Sequence, residues 1–485
     1  MIGISAFTSI RDKMKRFGYD AITDKGRRRP PGVRVKAESE ILGESDRRKL
    51  QSTIHDQRRN FAVLAWMIRK HLDYVSSFTF QARNDDPELN KNLERLVTWW
   101  SRPRNCDVAN RHSLRRLTRL AEAARIVDGD FGLLLLRQGK VQGIESDRIG
   151  SKPTQGGIPE SYRATSWVQG LDLDSSGATK RYMLLKRVAN GLVFDRVVPA
   201  RNMKLLAHYD RIDQVRGVSP LAAAMNTIAD VKEAFEWNLI KAKVHALFGL
   251  GISRDSVGGA GRFDYSDADD GGTPDEDTTR YDVNIDGGVF KLELDPGDKV
   301  DTIESRTPSG EFMDYSRLMI QVALNALDIP FTFWDSRQSS YSAMRQDLLN
   351  YIQSVKGKRG DLIELLDDLI AWKVNTWVNV IGRDGEPMLK LPAGMNARDI
   401  AWEWVAAGIP WIDPLKEISA DAQAVSMAVK SRHQISAERG VDWETTVSQL
   451  EAEEYELRKR NISAQLGMPG AVLTTTKDED TSDET

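Results

Sequence analysis

Ser219 followed by Pro220 opens the stretch that most constrains this chain. The serine supplies an N-cap oxygen, and the proline suits a first helical turn, where its missing N–H costs nothing. Ala224, Ile228, Val231, Phe235, Leu239, Ala242 and Ala246 follow at intervals of four, three, four, four, three and four, one apolar stripe on a helical face. The spacing predicts a helix of about 29 residues, a rod of roughly 45 Å. Ala222, Ala223, Ala229 and Ala234 leave other faces open to close neighbours. Taken alone, such a stripe favours an ordinary core helix.

The chain around this rod has 485 residues, enough for about three folding units. Lys and Arg total 68 against 71 Asp and Glu, a formal charge of −3, so basicity of the whole chain gives no argument for a nucleic-acid partner. Any such contact must be local. The single cysteine, Cys106, excludes an intramolecular disulfide, a CxxC pair and a Cys-rich zinc site, which fits a reducing cytoplasm. No apolar run approaches the roughly 18 residues of a membrane helix, and no export signal is evident at the amino terminus.

The first 36 residues hold ten Lys or Arg against Asp12, Asp20 and Asp24, which reads as a basic arm, either solvated or a docking segment. Ile54, Phe61, Leu64, Ile68 and Leu72 predict one long amphipathic helix over 45–74. A second is expected over 107–127, with "DGD" at 128–130 turning into strand 131–136 and further strand-like runs to about 207. Residues 46–216 thus read as one α+β domain. From 253 to 310 the text turns Gly-rich, and positions 255–282 carry nine acids against Arg262 and Arg280. "YDVNI" and "GVFKLEL" predict a hairpin through Asp286-Gly287. Phe312, Tyr315, Met319, Val322 and Ala326 share a helical face, "DIPFTFWDSRQSSYS" at 328–342 interrupts it, and helical periodicity resumes from Met344 to about Ile381. Asp413-Pro414 and Asp442 predict two later helix starts, and the acidic end from Thr474 has the composition of a disordered tail.

Catalytic signatures are missing. GxxxxGK[ST], HExxH and GxSxG do not occur, and the six histidines have no second ligand at i+3 or i+4. Asp264, Asp267, Asp269 and Asp270 offer oxygens to a hard cation, but their spacing fails the EF-hand pattern. No cofactor is expected. Arg337, Gln338, Ser339, Ser340 and Tyr341 offer donors to phosphate oxygens, with Lys356, Lys358 and Arg359 one to two turns into the next helix; a solvated loop has the same composition.

Residues 296–351 and 402–454 resemble the lambda-type tailed-phage portal proteins. The family's Gly-Ile-Pro segment and Tyr-Ser-Ser-Ala-Arg-like motif are matched by Asp328-Ile329-Pro330 and Ser340-Tyr341-Ser342-Ala343-Met344-Arg345, with Asp328 in place of the usual Gly. Its Trp-(Ile/Val)-Asp-Pro-Leu-Lys-Glu segment and later Gly-(Val/Leu)-Asp are matched by Trp411–Glu417 and Gly440-Val441-Asp442, and 214–231 resembles its Arg-Gly-Val lead into a long helix. The resemblance implies an α+β portal fold. An N-terminal arm (1–45) would precede an α/β wing (46–216), a first stem helix (217–250), a small β-containing clip (251–310) and a second stem helix (311–329). A tunnel loop (330–343), a channel-side helix with return to the wing (344–409), a helical crown (410–466) and an acidic tail (467–485) would complete it.

The implied function is non-enzymatic: a ring, generally dodecameric, at one capsid vertex of the virion, through which double-stranded DNA is packaged and ejected. The clip would face the terminase large subunit and then a head-completion protein, with major capsid and scaffold proteins as further partners and no membrane. The stripe Ala224, Ile228, Val231, Phe235 and Leu239 becomes a possible inter-subunit seam. A conduit should touch phosphates weakly, because many counterion-releasing contacts would trap its cargo. Two other classes remain on the sequence alone, a Mg-dependent nucleic-acid-processing enzyme and a structural tail or baseplate protein without DNA contact.

Overall fold

The computed structural model describes residues 36–247, 250–254, 284–286, 289–291, 298–302, 309–337, 339–381, 387–408 and 414–460. The expected arm up to residue 35, the cluster Asp264–Asp270, Gln338 and the tail from 461 lie outside them. The fold is mixed α and β, and the chain divides into two units, residues 1–228 with 321–485 and residues 229–320.

In the first unit, helices α1 (Glu44–Asn60) and α2 (Ala62–Val75) stand where one long helix was expected. The expected face is right, since Ile54, Phe61, Leu64, Ile68 and Leu72 are all buried. The continuity is not, because Phe61 adopts an extended backbone at φ −129° and restarts the helix as its N-cap residue. Strand β1 (Phe78–Ala82) leads to α3 (Pro87–Trp100), where Asp86 caps through the Glu88 amide ahead of a first-turn proline. Helix α4 (Leu114–Asp128) starts later than expected, because Asp107–Ser113 form a loop, and Ser113 caps it.

Strands β2 (Asp130–Leu135), β3 (Val141–Glu145) and β8 (Met203–Ala207) form an antiparallel sheet in the order β3-β2-β8. β4 (Trp167–Val168), β5 (Leu171–Leu173), β6 (Thr179–Val188) and β7 (Gly191–Pro199) form a second, in sequence order. Leu134, Ile144, Leu171, Tyr182, Leu184 and Met203 from both sheets share one apolar core. The turn into β2 requires glycine: Gly129 has φ +93°, and a Cβ on it would lie 2.5 Å from the Gly217 carbonyl oxygen. That close approach brings Arg216 beside Asp130, and the guanidinium, fully buried, donates to both Asp130 oxygens at 2.6 and 2.8 Å and to the carbonyls of Ser146, Ile149 and Gln169.

Ser219 caps as expected, accepting from the Leu221 amide, but the first turn is a 3₁₀ turn over Pro220–Ala223. Helix α5 therefore covers Met225–Leu247, 23 residues. β9 (Leu250–Arg254) pairs antiparallel with β12 (Asp298–Thr302), and β10 (Asn284–Asp286) with β11 (Val289–Lys291) across positions 287–288. Helix α6 spans Gly310–Leu324.

Helix α7 (Tyr341–Asn379) runs 39 residues without a break, although Gly357 and Gly360 fall inside it. At 1.5 Å per residue it measures roughly 58 Å. β13 (Trp402–Ala406) returns to pair with β1. Three surface helices follow, α8 (Pro414–Ser426), α9 (Arg432–Glu438, with a Ser431–Gln434 capping box) and α10 (Trp443–Lys459, capped by Asp442). Among the described residues no helix is long and apolar enough to cross a membrane.

Candidate functional site

The segment between α6 and α7 is pinned at both ends. Asp328 closes the 3₁₀ turn Asn325–Leu327 in the left-handed region at φ +57°, a conformation that glycine adopts without strain and Asp tolerates. Its side chain then does what a glycine cannot. Its carboxylate accepts from the Ser354 hydroxyl at 2.6 Å and the Lys358 ammonium at 2.8 Å, tying the turn to α7. Burial alone would push this carboxyl up, but the Lys358 and Ser354 hydrogen bonds and the lysine charge together hold it below its usual range.

Aromatic side chains fix the middle. Phe333 packs against Tyr74 of α2 and Tyr351 of α7 with ring centroids 5.7 and 5.3 Å apart, and Trp334 meets Trp66 edge-on at 5.2 Å. The Thr332 hydroxyl donates to Asp347 at 2.9 Å. What remains exposed beyond Trp334 is short and polar.

Each residue expected to meet phosphate has a definite place. Arg337 is 73% exposed at its side chain and forms a bidentate pair with Asp335, both contacts at 2.9 Å. The pair leaves the tip with little net charge. Gln338 lies outside the described residues. The Ser339 amide donates to the Ser336 carbonyl, Ser340 caps α7 through the Ala343 amide, and Tyr341 is exposed with the Lys416 ammonium 5.8 Å from its ring centroid.

Of the three helix cations, only Lys356 is exposed with no hydrogen bond or ion pair among the described residues. Lys358 donates to Asp328 and to the Leu327 carbonyl, and Arg359 donates to the Tyr74 carbonyl at 2.9 and 2.6 Å and to Ala407. Burial pushes the Arg359 guanidinium pKa down. The expectation that Lys358 and Arg359 present donors to phosphate is thus corrected: both hold the loop's platform together. Sequence spacing placed them on the helix but gave no sign of the Tyr74 carbonyl. Asp335 was missed as well, although the Asp-x-Arg spacing in "WDSR" carried that signal.

The stripe on α5 is not one surface. Ala224, Ile228 and Val231 are buried within the chain, which corrects their place in an inter-subunit seam. Phe235 is half-buried and meets Phe312 of α6 edge-on at 6.0 Å. Leu239 is 56% exposed, and Trp237 and Ile240 beside it are exposed too. Helix α6 repeats the pattern with its faces exchanged. Ser316, Ile320, Ala323 and Leu324 are buried, whereas Tyr315 and Val322, which share the apolar face read from the spacing, are exposed together with Met313 and Leu318. Both helices carry apolar residues on two faces, and periodicity cannot say which face is private.

Among the described residues no group of three or more His, Cys, Asp or Glu is placed to hold a metal ion. A family model described as phage portal protein, lambda family, matches residues 27–359. The probable portal protein of Halomonas phage phiHAP-1 is 23% identical over 432 residues, covering 82% of this chain and 77% of that protein. Among solved structures, a chain in the neck of an empty GTA particle computed with C6 symmetry aligns at TM-score 0.45 and 11% identity, covering 87% of this chain and 97% of that one. A chain in the neck of a native GTA particle computed with C12 symmetry aligns at TM-score 0.44 and 12% identity, over 80% and 93%.

Proposed function

The chain belongs to the lambda family of phage portal proteins, and on that premise we propose that its copies close into a ring, dodecameric as in the family, at one vertex of the capsid. Double-stranded DNA passes through the axial opening during packaging and ejection. The observation that carries this reading is the apolar surface left on α5 and α6: Trp237, Leu239, Ile240, Met313, Tyr315 and Leu318 are all exposed in the single chain. Fully burying a large apolar side chain gains roughly 1.5–3 kcal/mol. Six of them, less the part already covered, are on the scale of the 4–15 kcal/mol that association costs.

In this reading residues 46–216 form the wing, 217–250 and 311–329 the stem, 251–310 the clip and 410–466 the crown. The clip faces the terminase large subunit and then the head-completion protein, and capsid and scaffold proteins meet the outside of the ring. The segment 330–343 projects toward the DNA. Its one arginine is held by Asp335, so it meets each phosphate as half of an ion pair and not as a free cation. Weak, exchangeable contact of that kind suits a sliding duplex, since each unpaired cation per subunit would add a counterion-releasing contact. Energy for translocation comes from the packaging motor, and the chain itself catalyses nothing.

Electron microscopy of the purified protein tests the proposal. Closed rings with an opening that admits a duplex are expected; solitary particles without a pore at high protein concentration would overturn it.

A further inference from the structure

The whole-chain charge conceals one strongly cationic region. Arg102, Arg104, Arg111, Arg115 and Arg116 are all exposed, and none has a hydrogen bond from its guanidinium or an ion pair among the described residues. Other surface arginines of the same unit differ among themselves: Arg83 pairs with Glu403 and Glu444, Arg119 with Asp73 and Arg187 with Glu145 and Asp147, whereas Arg59, Arg69, Arg201 and Arg345 are exposed without an ion pair among the described residues. What distinguishes the loop between α3 and α4 is density: five such side chains fall within fifteen residues.

The loop is rigid and closed. The Leu114 amide donates to the Ser101 carbonyl at 2.9 Å, joining its two ends. Inside, the buried Asp107 carboxylate accepts the amides of Ala109, Arg111 and His112 at 3.2, 2.9 and 3.1 Å. Those bonds outweigh the effect of burial and hold its pKa below the usual carboxylate range, so the one acid in the loop faces inward and is committed to backbone. Val108 is hydrogen-bonded to Val141 of β3, and the Lys140 ammonium donates to Asn110 at 2.7 Å, which brings the β2–β3 turn alongside with Lys140 and the exposed Arg137. A closed loop of this length keeps its residues within roughly 25 Å of one another.

Two of these arginines oppose the folding of their own helix. Arg115 and Arg116 occupy the first turn of α4, which has no acidic residue, so they add positive charge to the positive end of the helix dipole. Folding alone gives no reason for this placement; an anion bound there does.

We propose that the loop 102–116, with the β2–β3 turn beside it, is a docking surface for the phosphate backbone of double-stranded DNA, separate from the segment 330–343. Arginine is chosen five times and lysine not at all within the loop, as suits bidentate phosphate contact, and the Ser113 hydroxyl adds a neutral donor. The apolar side chains at its edge, Trp99 and Val108, are too few for the apolar centre of a protein interface. The inference goes beyond ring closure and does not depend on it.

Binding of a fluorescein-labelled 24-bp duplex to the full chain, followed by anisotropy between 50 and 200 mM NaCl, tests the assignment. Five phosphate contacts give a log–log salt slope near −4.5, a loss of roughly 500-fold in affinity across that range. The R111Q/R115Q/R116Q variant should reduce the slope to about −1.8 and the loss to about 12-fold, while R111K/R115K/R116K keeps the wild-type slope. An unchanged slope in the glutamine variant overturns the proposal. So does a result in which a peptide of residues 474–485 binds the wild type more tightly than the duplex and the glutamine variant loses only the peptide, which would make the loop a site for an acidic protein segment. Rings that fail to appear in micrographs would leave the salt slope unaffected, so the two readings fail separately.

Discussion

Arg216 and Leu239 show two opposite ways of finishing a surface. Arg216 is a full charge taken out of water, and every donor on it has an acceptor within its own chain. Leu239 is an apolar side chain on a long helix and remains half in water. Other buried charges in the unit that holds Arg216 are paired in the same way: Arg125 pairs with Glu122, which also accepts from His71, and Arg47 donates to Gln169. The α5–α6 pair meets through Phe235 and Phe312 and leaves its outer face bare. The buried charges find their partners within the single chain, and the proposed ring would cover the apolar face of α5 and α6.

The largest test of that contrast is Arg216→Met. It would leave Asp130 buried without its counter-charge, and breaking a buried pair from one side costs about 3–5 kcal/mol. Urea unfolding of the subunit should show the loss, and R216K should not rescue it, because an ammonium cannot span the same acceptors. A loss under 1 kcal/mol would mean that Asp130 finds another partner or water once the guanidinium is gone. The complementary test is L239D/L318D. With both positions exposed, subunit stability should change by less than about 0.5 kcal/mol, while association should weaken by on the order of 3 kcal/mol, near 100-fold. Sedimentation velocity should then show subunits where the wild type shows rings; persistent rings would remove these positions from the seam.

Legibility in the sequence followed the same division. Features set by neighbours in the chain were readable: the Ser219 and Asp442 caps, the turn at Gly129, the apolar face of 54–72 and the pairing of 284–286 with 289–291. Features set by distant partners were not. Phe61 breaks its helix while keeping its face, Lys358 and Arg359 look like free cations until Asp328 and the Tyr74 carbonyl are brought to them, and α6 leaves Tyr315 and Val322 of its periodic apolar face exposed. The cationic loop escaped notice for a related reason, since total charge averages it against acids elsewhere. The interruption read over 328–342 is there but ends earlier, since α7 begins at Tyr341 behind the Ser340 cap, and its middle is held by Trp66, Tyr74 and Tyr351, distant in the chain.

Asp328 sharpens the comparison at smaller scale, because it sits where an internal clasp meets an exposed segment. Asp328→Ala keeps a left-handed backbone without the clasp and should cost about 1–2 kcal/mol, with the ion-pair share discounted because the carboxylate is partly in solvent. Asp328→Gly removes the backbone penalty along with the clasp and should lie within about 0.5 kcal/mol of wild type at neutral pH. The folded-state carboxyl is held below its ordinary value, so the clasp contributes above about pH 4 and is lost as pH falls through the folded-state pKa. Urea midpoints of wild type and D328G at pH 7 and pH 3 measure this; a gap that widens in acid contradicts the clasp.

The smallest effect has the opposite sign. His55 Nε2 lies 2.8 Å from Asp128 Oδ1, and that hydrogen bond raises the imidazole above its ordinary pKa against the pull of burial. A raised folded-state value means stability that is fully present below about pH 6.5 and lost as pH rises through the folded-state pKa. Asp128 is itself pushed up by burial, a shift of the same sign that acts at lower pH. Because the His55 side chain is 42% exposed, solvent screens the pair and the contribution is a few tenths of a kcal/mol at about this exposure. Wild type should lose slightly more stability than His55→Gln between pH 5.5 and 8.5 in parallel urea titrations. Identical losses would place the bond among the surface pairs that contribute nothing to stability.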